Sequence, residues 1–536
     1  MRTHRLNYIL TALGLWLSVS ACAQSPNMPN SDRLSAPVTA TTQSELDALF
    51  APTHPSVSQS DFLNALSSKI ARSNVSFYAQ AVGDSDPIIA INANRAQNPA
   101  SVIKLLTTFA ALKKFGADYR WQTDLLAQES INAQGQLNSP VLLKGSGDPQ
   151  LVIERLDDLV QQLRSAGLKQ LNAPLLIDRN AFGNMERNPA EFDGEPAMPY
   201  NALPDAALLN YHALSFRFDP EHQQVRMVPW LDGFDLNNSV RFVEGACPAN
   251  GWKSTVNVGV STYSAWVSGT YYSGCGEQQW HIHAHQTTAN QYAQGVFGAL
   301  FKGHTGLESV SCSVERFWDK LFQRWHDCFA PTIVWSEPQA MDAVPRSRAG
   351  GTDMDGSWKT LATVQSPPLL AMIKDMNFYS NNVMARQIYL NLSLRANQPA
   401  TLSNSAQVVH QILNEAGLSD DSVNMGNGSG LSNATCISPR ELAHILIQAN
   451  QMSEFVDSLP RIGIEGTVKK RLTDTDMVGR GRMKTGSLNN VRAIAGYIDG
   501  KSGKRYAVVS LINDGNAQSE AGKRAHDLFM RWVGEQ

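Results

Sequence analysis

The sequence contains few charged residues and has no marked excess of either sign. Asp, Glu, Lys and Arg make up 17% of its 536 residues, and the formal net charge is -3. A typical soluble domain has about 25% charged residues. Proteins that bind nucleic acid or anionic membranes usually carry a basic patch or a polybasic segment. The composition therefore supports neither class of partner.

Long apolar runs are absent beyond the N-terminal region, so no transmembrane helix is predicted in the body of the chain. The N-terminal segment itself has Arg2 and Arg5, an apolar run over residues 9–19, and then small residues. This order is typical of a secretory signal peptide, which we place at residues 1–23. The mature protein is thus expected in the periplasm.

Two cleavage sites are compatible with this signal peptide. Ala21-Cys22-Ala23 resembles an A-x-A site, whereas residues 19–22 resemble a bacterial lipobox in which Cys22 is lipidated. Residues 24–60 are rich in Pro, Ser, Thr and Asn and are predicted to form a flexible linker. Such a linker favours the lipobox, with a lipid on Cys22 tethering the protein to a membrane.

Cysteine is also scarce, with six residues in the whole chain. If Cys22 is lipidated, five remain for an oxidising compartment. Cys247 with Cys275 and Cys312 with Cys328 are near in sequence and are candidate disulfides. That pairing would leave Cys436 as a free thiol, although spacing does not determine connectivity.

The chain is too long for one simple domain. Strand patterns at 75–83 and 87–94 form a predicted hairpin, and a buried helix is predicted over 98–116. Residues 366–451 are predicted to be mostly helical. A hairpin around residue 500 and a last helix over 519–533 are predicted after them. We predict a multi-domain α/β protein: a catalytic domain formed by 61–120 and 346–536, with mixed, β-containing accessory domains inserted over 121–345.

The predicted helix at 98–116 places Ser101 and Lys104 one turn apart on the same face. The residues around them are apolar, so the lysine is predicted to be buried. Desolvation and a second nearby cation would lower the pKa of such a lysine, so that it could act as a general base for the serine. Alternatively, Lys104 extends to the surface and the spacing arises by chance.

Two further motifs follow in order along the chain. Ser380 and Asn382 form a Ser-x-Asn motif beside a helical run. Lys484-Thr485-Gly486, followed by Ser487, opens a predicted strand, where glycine allows close backbone approach and Lys and Thr suit a carboxylate. A plain turn leading into a hairpin is the alternative for this last motif.

Together, Ser-x-x-Lys, Ser-x-Asn and Lys-Thr-Gly form the motif set of serine penicillin-recognising enzymes. From about residue 70 onward the chain resembles the class C low-molecular-mass penicillin-binding proteins, the D-alanyl-D-alanine carboxypeptidase/endopeptidases. The resemblance extends to KGSGDPQL (144–151), LLIDRNAFG (175–183), YNALPDAALLN (200–210), NGSGLS (427–432) and GIEGTVKKRL (463–472). It implies a penicillin-binding, β-lactamase-like transpeptidase fold with extra domains between the first two motifs.

The resemblance also implies roles for the motif residues. Ser101 would attack the carbonyl of the penultimate D-Ala and Lys104 would take its proton. Ser380 would relay a proton to the leaving amine, and Asn382 would orient Lys104 and the substrate amide. Lys484 and Thr485 would hold the terminal carboxylate, and Lys484 would help keep Lys104 neutral. The backbone N–H groups of Ser101 and Ser487 would form the oxyanion hole.

Peptidoglycan stem peptides are the implied substrates, β-lactams the implied covalent inhibitors, and no cofactor or metal is needed. Glu195 and Tyr200 fall near family positions that contact the diaminopimelate side chain. Relatives often have Arg where this chain has Asn433, which leaves recognition of the acidic end of the peptide open. Cys247 and Cys275 match a cysteine pair in some relatives.

Three histidines at a spacing of two, His281, His283 and His285, would share one face if they lie on a strand. Such a cluster can bind Zn²⁺. The alternative, which we favour, is a polar strand face in an accessory domain.

Two other functions remain open from the sequence. A β-lactamase or esterase of the same fold would share the motifs but deacylate rapidly. A non-enzymatic envelope protein would bind cell wall without turnover, which the complete motif set disfavours.

Overall fold

The computed structural model describes residues 59–66, 69–183, 188–304, 332–343, 358–395 and 398–536. The predicted signal peptide, Cys22, most of the predicted 24–60 linker, Cys312 and Cys328 lie outside these ranges. In the part of the chain that is described, no helix combines the length and the apolar character needed to cross a bilayer.

The helices of the described residues lie in three stretches: one before the first strand, a few among the strands of the middle region, and a group in the C-terminal half. They are α1 Gln59–Ala65, α2 Lys104–Phe115, α3 Ile153–Ser165, α4 Ala289–Phe301, α5 Leu369–Tyr379, α6 Asn382–Asn391, α7 Leu402–Glu415, α8 Pro439–Ala449, α9 Ser453–Asp457 and α10 Glu520–Glu535.

Most strands are short and lie in the middle region. They are β1 Val75–Ala81, β2 Pro87–Ile91, β3 Gln122–Ala127, β4 Gln136–Leu137, β5 Val141–Lys144, β6 Gln170–Leu171, β7 Leu175–Asp178, β8 Ala213–Asp219, β9 Gln224–Val228, β10 Asp235–Val243, β11 Val256–Val260, β12 Ser264–Tyr272, β13 Gln278–His283, β14 Val334–Trp335, β15 Ala340–Asp342, β16 Lys359–Gln365, β17 Gly481–Leu488, β18 Val491–Asp499 and β19 Arg505–Asn513.

The chain divides into two compact units. The first contains the described residues up to Ala117, together with Ile373–Ala385 and Leu402–Gln536; the second contains Asp118–Met372 and Arg386–Thr401. The second unit thus also includes β16 and residues 386–401, which the sequence led us to place in the catalytic domain. β16 belongs there because it pairs antiparallel with β3.

The first unit is built on one antiparallel sheet with the strand order β17-β18-β19-β1-β2. Its strands come from both ends of the described chain, and β1 joins the two parts by pairing with β19 from Val75 to Ala81. Aromatic side chains of α1 and α10 pack on this sheet, where the Phe62 ring lies 4.9 Å from Phe77 and 5.5 Å from Phe529. The predicted β1–β2 and β18–β19 hairpins are confirmed.

The second unit contains four small sheets. One has five strands in the order β15-β7-β5-β3-β16; the others have three each, in the orders β14-β6-β4, β13-β8-β9 and β10-β12-β11. Helices α3 and α4 supply apolar faces to a shared core, for example Leu159 and Phe297. α3 has apolar residues at intervals of three and four, which is the pattern of a helix with one buried face.

Two cysteine contacts bear on the expectations from the sequence. Cys247 and Cys275 are joined by a disulfide that connects the segment after β10 to the segment after β12. Cys436 is also disulfide-bonded, so the expectation of a free thiol there is wrong. Pairing follows proximity in the fold, and sequence spacing was a poor guide to it for Cys436.

Candidate active site

Ser101 lies in a tight turn at the start of a buried helix. The side-chain oxygen of Asn98 accepts a hydrogen bond from the N–H of Ala100 at 2.8 Å, and Ala100 has a left-handed φ of 46°. A 3-10 turn over Ala100–Ile103 then leads into α2, where the sequence predicted an α-helix from the outset. Residues three apart eclipse each other in a 3-10 turn. This conformation brings Lys104 directly into line with Ser101.

The Lys104 side chain is completely buried and reaches three oxygen atoms. Its Nζ lies 2.8 Å from Ser101 Oγ, 2.5 Å from Asn382 Oδ1 and 2.6 Å from the backbone carbonyl of Ser429. The amide and carbonyl oxygens can only accept hydrogen bonds, whereas the Ser101 hydroxyl can also donate. A neutral Lys104 amine can therefore donate to Asn382 and Ser429 and accept from Ser101.

Ser380 and Asn382 occupy the short connection between α5 and α6. Ser380 has a φ of 57°, which is uncommon for a residue other than glycine, and the Asn381 side chain accepts from the N–H of Met384 at the start of α6. The two motif residues contact different lysines: Asn382 contacts Lys104, and Ser380 Oγ lies 2.8 Å from Lys484 Nζ. This connection therefore links the two lysines of the site.

Lys484 is the second buried lysine, located on the edge strand β17. Its ammonium donates to Ser380 Oγ and to the carbonyl of Thr485, both at 2.8 Å. Burial lowers the pKa of Lys484 to about 7. The neighbouring Thr485 hydroxyl contacts the Thr467 hydroxyl at 2.8 Å and is partly exposed.

The open edge of β17 also presents the N–H of Ser487. The Thr485 carbonyl accepts from the Lys484 side chain, so it points away from the ladder with β18. Backbone polar groups alternate in direction along a strand, so residues two apart point to the same side. The Ser487 N–H is therefore directed to the same open edge as Thr485.

Two glycines allow the backbone to approach Ser101 closely. A Cβ added to Gly430, which has a φ of 87°, would overlap the Ala100 carbonyl and lie 2.8 Å from Ser101 N. A Cβ added to Gly486 would lie 3.0 Å from the same nitrogen. Both positions therefore require glycine for packing against the serine turn.

The structure brings Ser101, Lys104, Ser380, Asn382 and Lys484 into one hydrogen-bonded site, with Thr485, Gly486 and Ser487 along its edge. Sequence reasoning gave no role to Ser429, Gly430 or Thr467, which also line this site. Their only signal was membership of the NGSGLS and GIEGTVKKRL segments. Every residue has a backbone carbonyl, so the contact between the Ser429 carbonyl and Lys104 depends on the course of the chain and cannot be predicted from the type of residue.

Glu195 and Tyr200 lie in the second unit, where both contact Asp193. The Tyr200 hydroxyl donates to Asp193 Oδ2 at 2.8 Å, and the Glu195 N–H donates to Asp193 Oδ1 at 3.0 Å. Burial and the Asp193 carboxylate raise the pKa of Tyr200 to about 12. Their assignment to substrate binding stays a prediction.

The histidine cluster is only partly on a strand, because β13 ends at His283. His281 is exposed and contacts the Ser215 hydroxyl at 2.5 Å, while His283 is buried and its Nδ1 lies 2.9 Å from the Pro196 carbonyl. Within the described ranges, no group of three or more His, Cys, Asp or Glu side chains could hold a metal ion.

The geometry defines a class of site: a serine–lysine acyl-transfer centre with a second serine–lysine pair beside it, as in penicillin-recognising enzymes. A family comparison agrees with this class. The model of the D-Ala-D-Ala carboxypeptidase 3 (S13) family matches residues 61–305 and 350–535, and the chain belongs to this family.

Individual relatives are similar over most of their length. The D-alanyl-D-alanine carboxypeptidase DacB of Haemophilus influenzae is 23% identical over 468 residues, covering 86% of this chain and 89% of that protein. The D-alanyl-D-alanine carboxypeptidase of an Actinomadura species is 22% identical over 430 residues, covering 78% and 73%. The crystal structure of penicillin binding protein 4 from H. influenzae matches with a TM-score of 0.67 at 20% identity, covering 89% of this chain and 99% of that one. The fold is thus the expected multi-domain α/β fold.

Proposed function

We propose that this enzyme hydrolyses the D-alanyl-D-alanine bond of peptidoglycan stem peptides, as a carboxypeptidase, an endopeptidase or both, through an acyl-enzyme on Ser101. The observation that carries this proposal is the contact of a fully buried Lys104 with Ser101 at 2.8 Å. Family membership supports the reaction class.

In the first step, Ser101 Oγ attacks the carbonyl carbon of the penultimate D-Ala while its proton passes to the neutral Lys104 amine. Burial disfavours the charged ammonium and so supports the base form of this lysine. Asn382 and the Ser429 carbonyl accept its N–H groups, which directs the lone pair toward Ser101. The oxyanion that forms lies between the N–H groups of Ser101 and Ser487; losing one such donor typically costs about 3–4 kcal/mol of barrier.

In the second step, the tetrahedral intermediate collapses, the C–N bond breaks and the leaving D-Ala nitrogen takes a proton. Ser380 is suited to relay to this nitrogen the proton that Lys104 took from Ser101, because its hydroxyl is held by Lys484. The relay returns Lys104 to its neutral form. Lys484 in its charged form and the Thr485 hydroxyl attract the terminal carboxylate of the substrate. Water then attacks the ester carbonyl while its proton passes to Lys104. The ester C–O bond breaks, Lys104 returns the proton to Ser101 Oγ, and the shortened peptide is released.

The same site would be acylated by β-lactams, which place a strained amide and a carboxylate at the same relative positions. A fluorescent penicillin should label the wild-type protein covalently, and Ser101→Ala should abolish the label. D-Ala release from a pentapeptide tests turnover, and a long-lived penicilloyl-enzyme would exclude a β-lactamase. Labelling that persists in Ser101→Ala would show that the nucleophile is misassigned.

The cellular location is a separate proposal that depends on the N-terminal sequence. The basic residues, apolar run and lipobox-like residues 19–22 support export to the periplasm with a lipid on Cys22. Wild-type protein should fractionate with membranes and show a mass increase from lipid, and Cys22→Ser should be soluble and unmodified. A wild-type mature chain that begins after residue 23 without lipid would contradict the tether.

A further inference from the structure

The three-stranded sheet β10-β12-β11 in the second unit has one buried and one exposed face. Val256, Val267 and Tyr271 pack from the buried face onto the core of this unit. The strand register places Asn237 and Gly259 directly beside Trp266 on the opposite side. Because side chains alternate along a strand, this outer face also carries hydroxyl and amide side chains two residues away. They are Ser239, Asn257, Ser268 and Thr270.

Trp266 lies flat on this outer face instead of packing into the core. A Cβ added to Gly259 would overlap the indole ring, so the ring rests directly on the glycine backbone. Trp266 is 44% exposed. Its indole N–H makes no hydrogen bond to any residue that the structure describes. The residue therefore presents one face of a large aromatic ring and a free donor to solvent.

The outer face is almost free of charge. Asp235 and Arg241 lie at opposite ends of β10, and Arg241 is held by the Thr270 hydroxyl at 3.3 Å. Between them the exposed groups are neutral amides and hydroxyls. Charge complementarity thus disfavours an anionic polymer or a phospholipid surface, which need clustered basic residues, and favours an uncharged polar ligand.

We propose that this outer face binds an uncharged carbohydrate chain, with Trp266 as the stacking platform. The C–H face of a pyranose ring is apolar and can cover the exposed indole, while sugar hydroxyl and acetamido groups can hydrogen-bond to Asn237, Asn257 and Ser268. The Cys247–Cys275 disulfide ties the segments that follow β10 and β12, which steadies the parallel pair that carries the platform.

The ligand class matches the polysaccharide backbone of peptidoglycan, to which the stem peptides are attached. The inference goes beyond hydrolysis at Ser101 and does not depend on it. A sugar-binding face would hold the polymer while individual peptides exchange at the catalytic serine.

The test measures binding of two uncharged probes by calorimetry: a tetramer of β-1,4-linked N-acetylglucosamine, and peptide-free glycan strands released from sacculi by an amidase, whose exposed lactyl carboxylates are then converted to methylamides. Trp266→Ala should weaken binding at least about tenfold, the loss expected when a central aromatic contact is removed. Trp266→Phe should retain part of the affinity because it keeps a ring.

Gly259→Val provides a second variant, since it keeps Trp266 but occupies the space under the ring. Like Trp266→Ala, it should weaken binding of both probes. Trp230→Ala is the matched control. Trp230 is 38% exposed in the same unit but lies outside the strands of this sheet and packs on His304 at 4.5 Å, so its loss should leave binding unchanged. An unchanged far-UV circular dichroism spectrum and unchanged calorimetric transitions of each variant would show that the second unit is folded.

The proposal is overturned if the wild-type protein binds neither probe, or if Trp266→Ala and Gly259→Val bind both as the wild type does. It is also overturned if Trp266→Ala changes the oligomeric state in analytical ultracentrifugation without affecting glycan binding, since the face would then be a protein contact. Ser101→Ala should bind both probes normally, which separates failure of this proposal from failure of the catalytic one.

Discussion

Each lysine of the active site is fully buried and reaches a serine hydroxyl at 2.8 Å, but the two have different surroundings. Both lysines also contact a backbone carbonyl, that of Ser429 for Lys104 and that of Thr485 for Lys484, and Lys104 contacts the side-chain oxygen of Asn382 in addition. Burying an ammonium costs several kcal/mol. Lys104 is therefore suited to take the proton of Ser101, and Lys484, whose pKa burial lowers to about 7, is suited to supply charge.

The pKa of Lys484 near 7 predicts how activity depends on pH. Because burial lowers this pKa from its ordinary value, the ammonium is lost as the pH rises through 7. The attraction for the substrate carboxylate is lost with it. We expect kcat/KM for D-Ala release to fall about tenfold per pH unit above this pKa, measured between pH 5.5 and 9.

Lys484→Arg is the control for this assignment, since a guanidinium stays charged throughout that range. Its overall activity should be lower because the geometry differs, but its decline should move to higher pH. A wild-type profile that stays flat to pH 9, or an Arg variant with an unchanged decline, would contradict the role of Lys484.

Gly430 should be as intolerant of substitution as a motif residue. Gly430→Ala would place a methyl group against the Ala100 carbonyl and 2.8 Å from Ser101 N, and so displace the turn that carries the nucleophile. A misplacement of about 1 Å can cost about 100-fold in rate. We expect a loss of this order in the acylation rate by penicillin, followed by stopped-flow fluorescence.

Gly417→Ala is matched to Gly430→Ala in backbone conformation. Gly417 has a φ of 69° in the same unit, and a Cβ there would meet nothing within 4 Å. It should lower the thermal midpoint slightly through backbone strain and leave acylation unchanged. Equal acylation rates in the two variants would mean that strain, and not the contact with Ser101, explains the loss.

At the scale of elements, local sequence signals predicted the helix of Ser101, the two hairpins and the last helix. The helix predicted to end at Gly116 has Gly116 as its C-cap, and Ser519, predicted as the first residue of the last helix, is the N-cap of α10. The 3-10 turn at Ser101 was missed because it depends on Asn98, Gly430 and Gly486 together, which are far apart in sequence. The histidine spacing suggested one strand face, but β13 ends at His283 and leaves His285 outside it.

Helix α10 contains a buried polar side chain that should destabilise the fold. His526 is 0% exposed, and neither of its ring nitrogens finds a hydrogen-bond partner among the described residues. An unsatisfied buried polar group costs about 1–3 kcal/mol. His526→Leu should therefore raise the free energy of unfolding at pH 7.5, measured by urea denaturation.

The same residue should make stability depend on pH. Burial, with smaller effects from Arg471 and Arg492, lowers the pKa of His526 well below its ordinary range. Below the unfolded pKa of about 6.5, the unfolded chain binds a proton that the folded chain does not. Stability is then lost as the pH falls, by about 1.4 kcal/mol per pH unit for this group. The advantage of His526→Leu should widen between pH 6.5 and 5; parallel curves would contradict the assignment.

At the scale of the whole molecule, the sequence predicted an interrupted catalytic domain but not the course of the interruptions. After Ala117, the residues of the first unit are Ile373–Ala385 and Leu402–Gln536, and the residues between these ranges belong to the second unit. The first two of these crossings between the units fall within α5 and α6, where the helical pattern has no break to mark them, and the third is at the start of α7. The Asn391 side chain at the end of α6 accepts from the Trp121 indole at 2.9 Å, a contact 270 residues apart that no local pattern encodes.

The two units have separate hydrophobic cores, and this predicts how a ligand of one unit affects unfolding. One buried cluster lies between Leu125 and Val364 in the second unit; another joins α1, the large sheet and α10 in the first. Units with their own cores can unfold in separate transitions. We expect two calorimetric transitions, of which acylation of Ser101 by benzylpenicillin raises the midpoint of only one, since a group bound to one folded unit stabilises that unit. Ser101→Ala should show both transitions and no shift. A single transition that moves as a whole on acylation would show instead that the two cores unfold together.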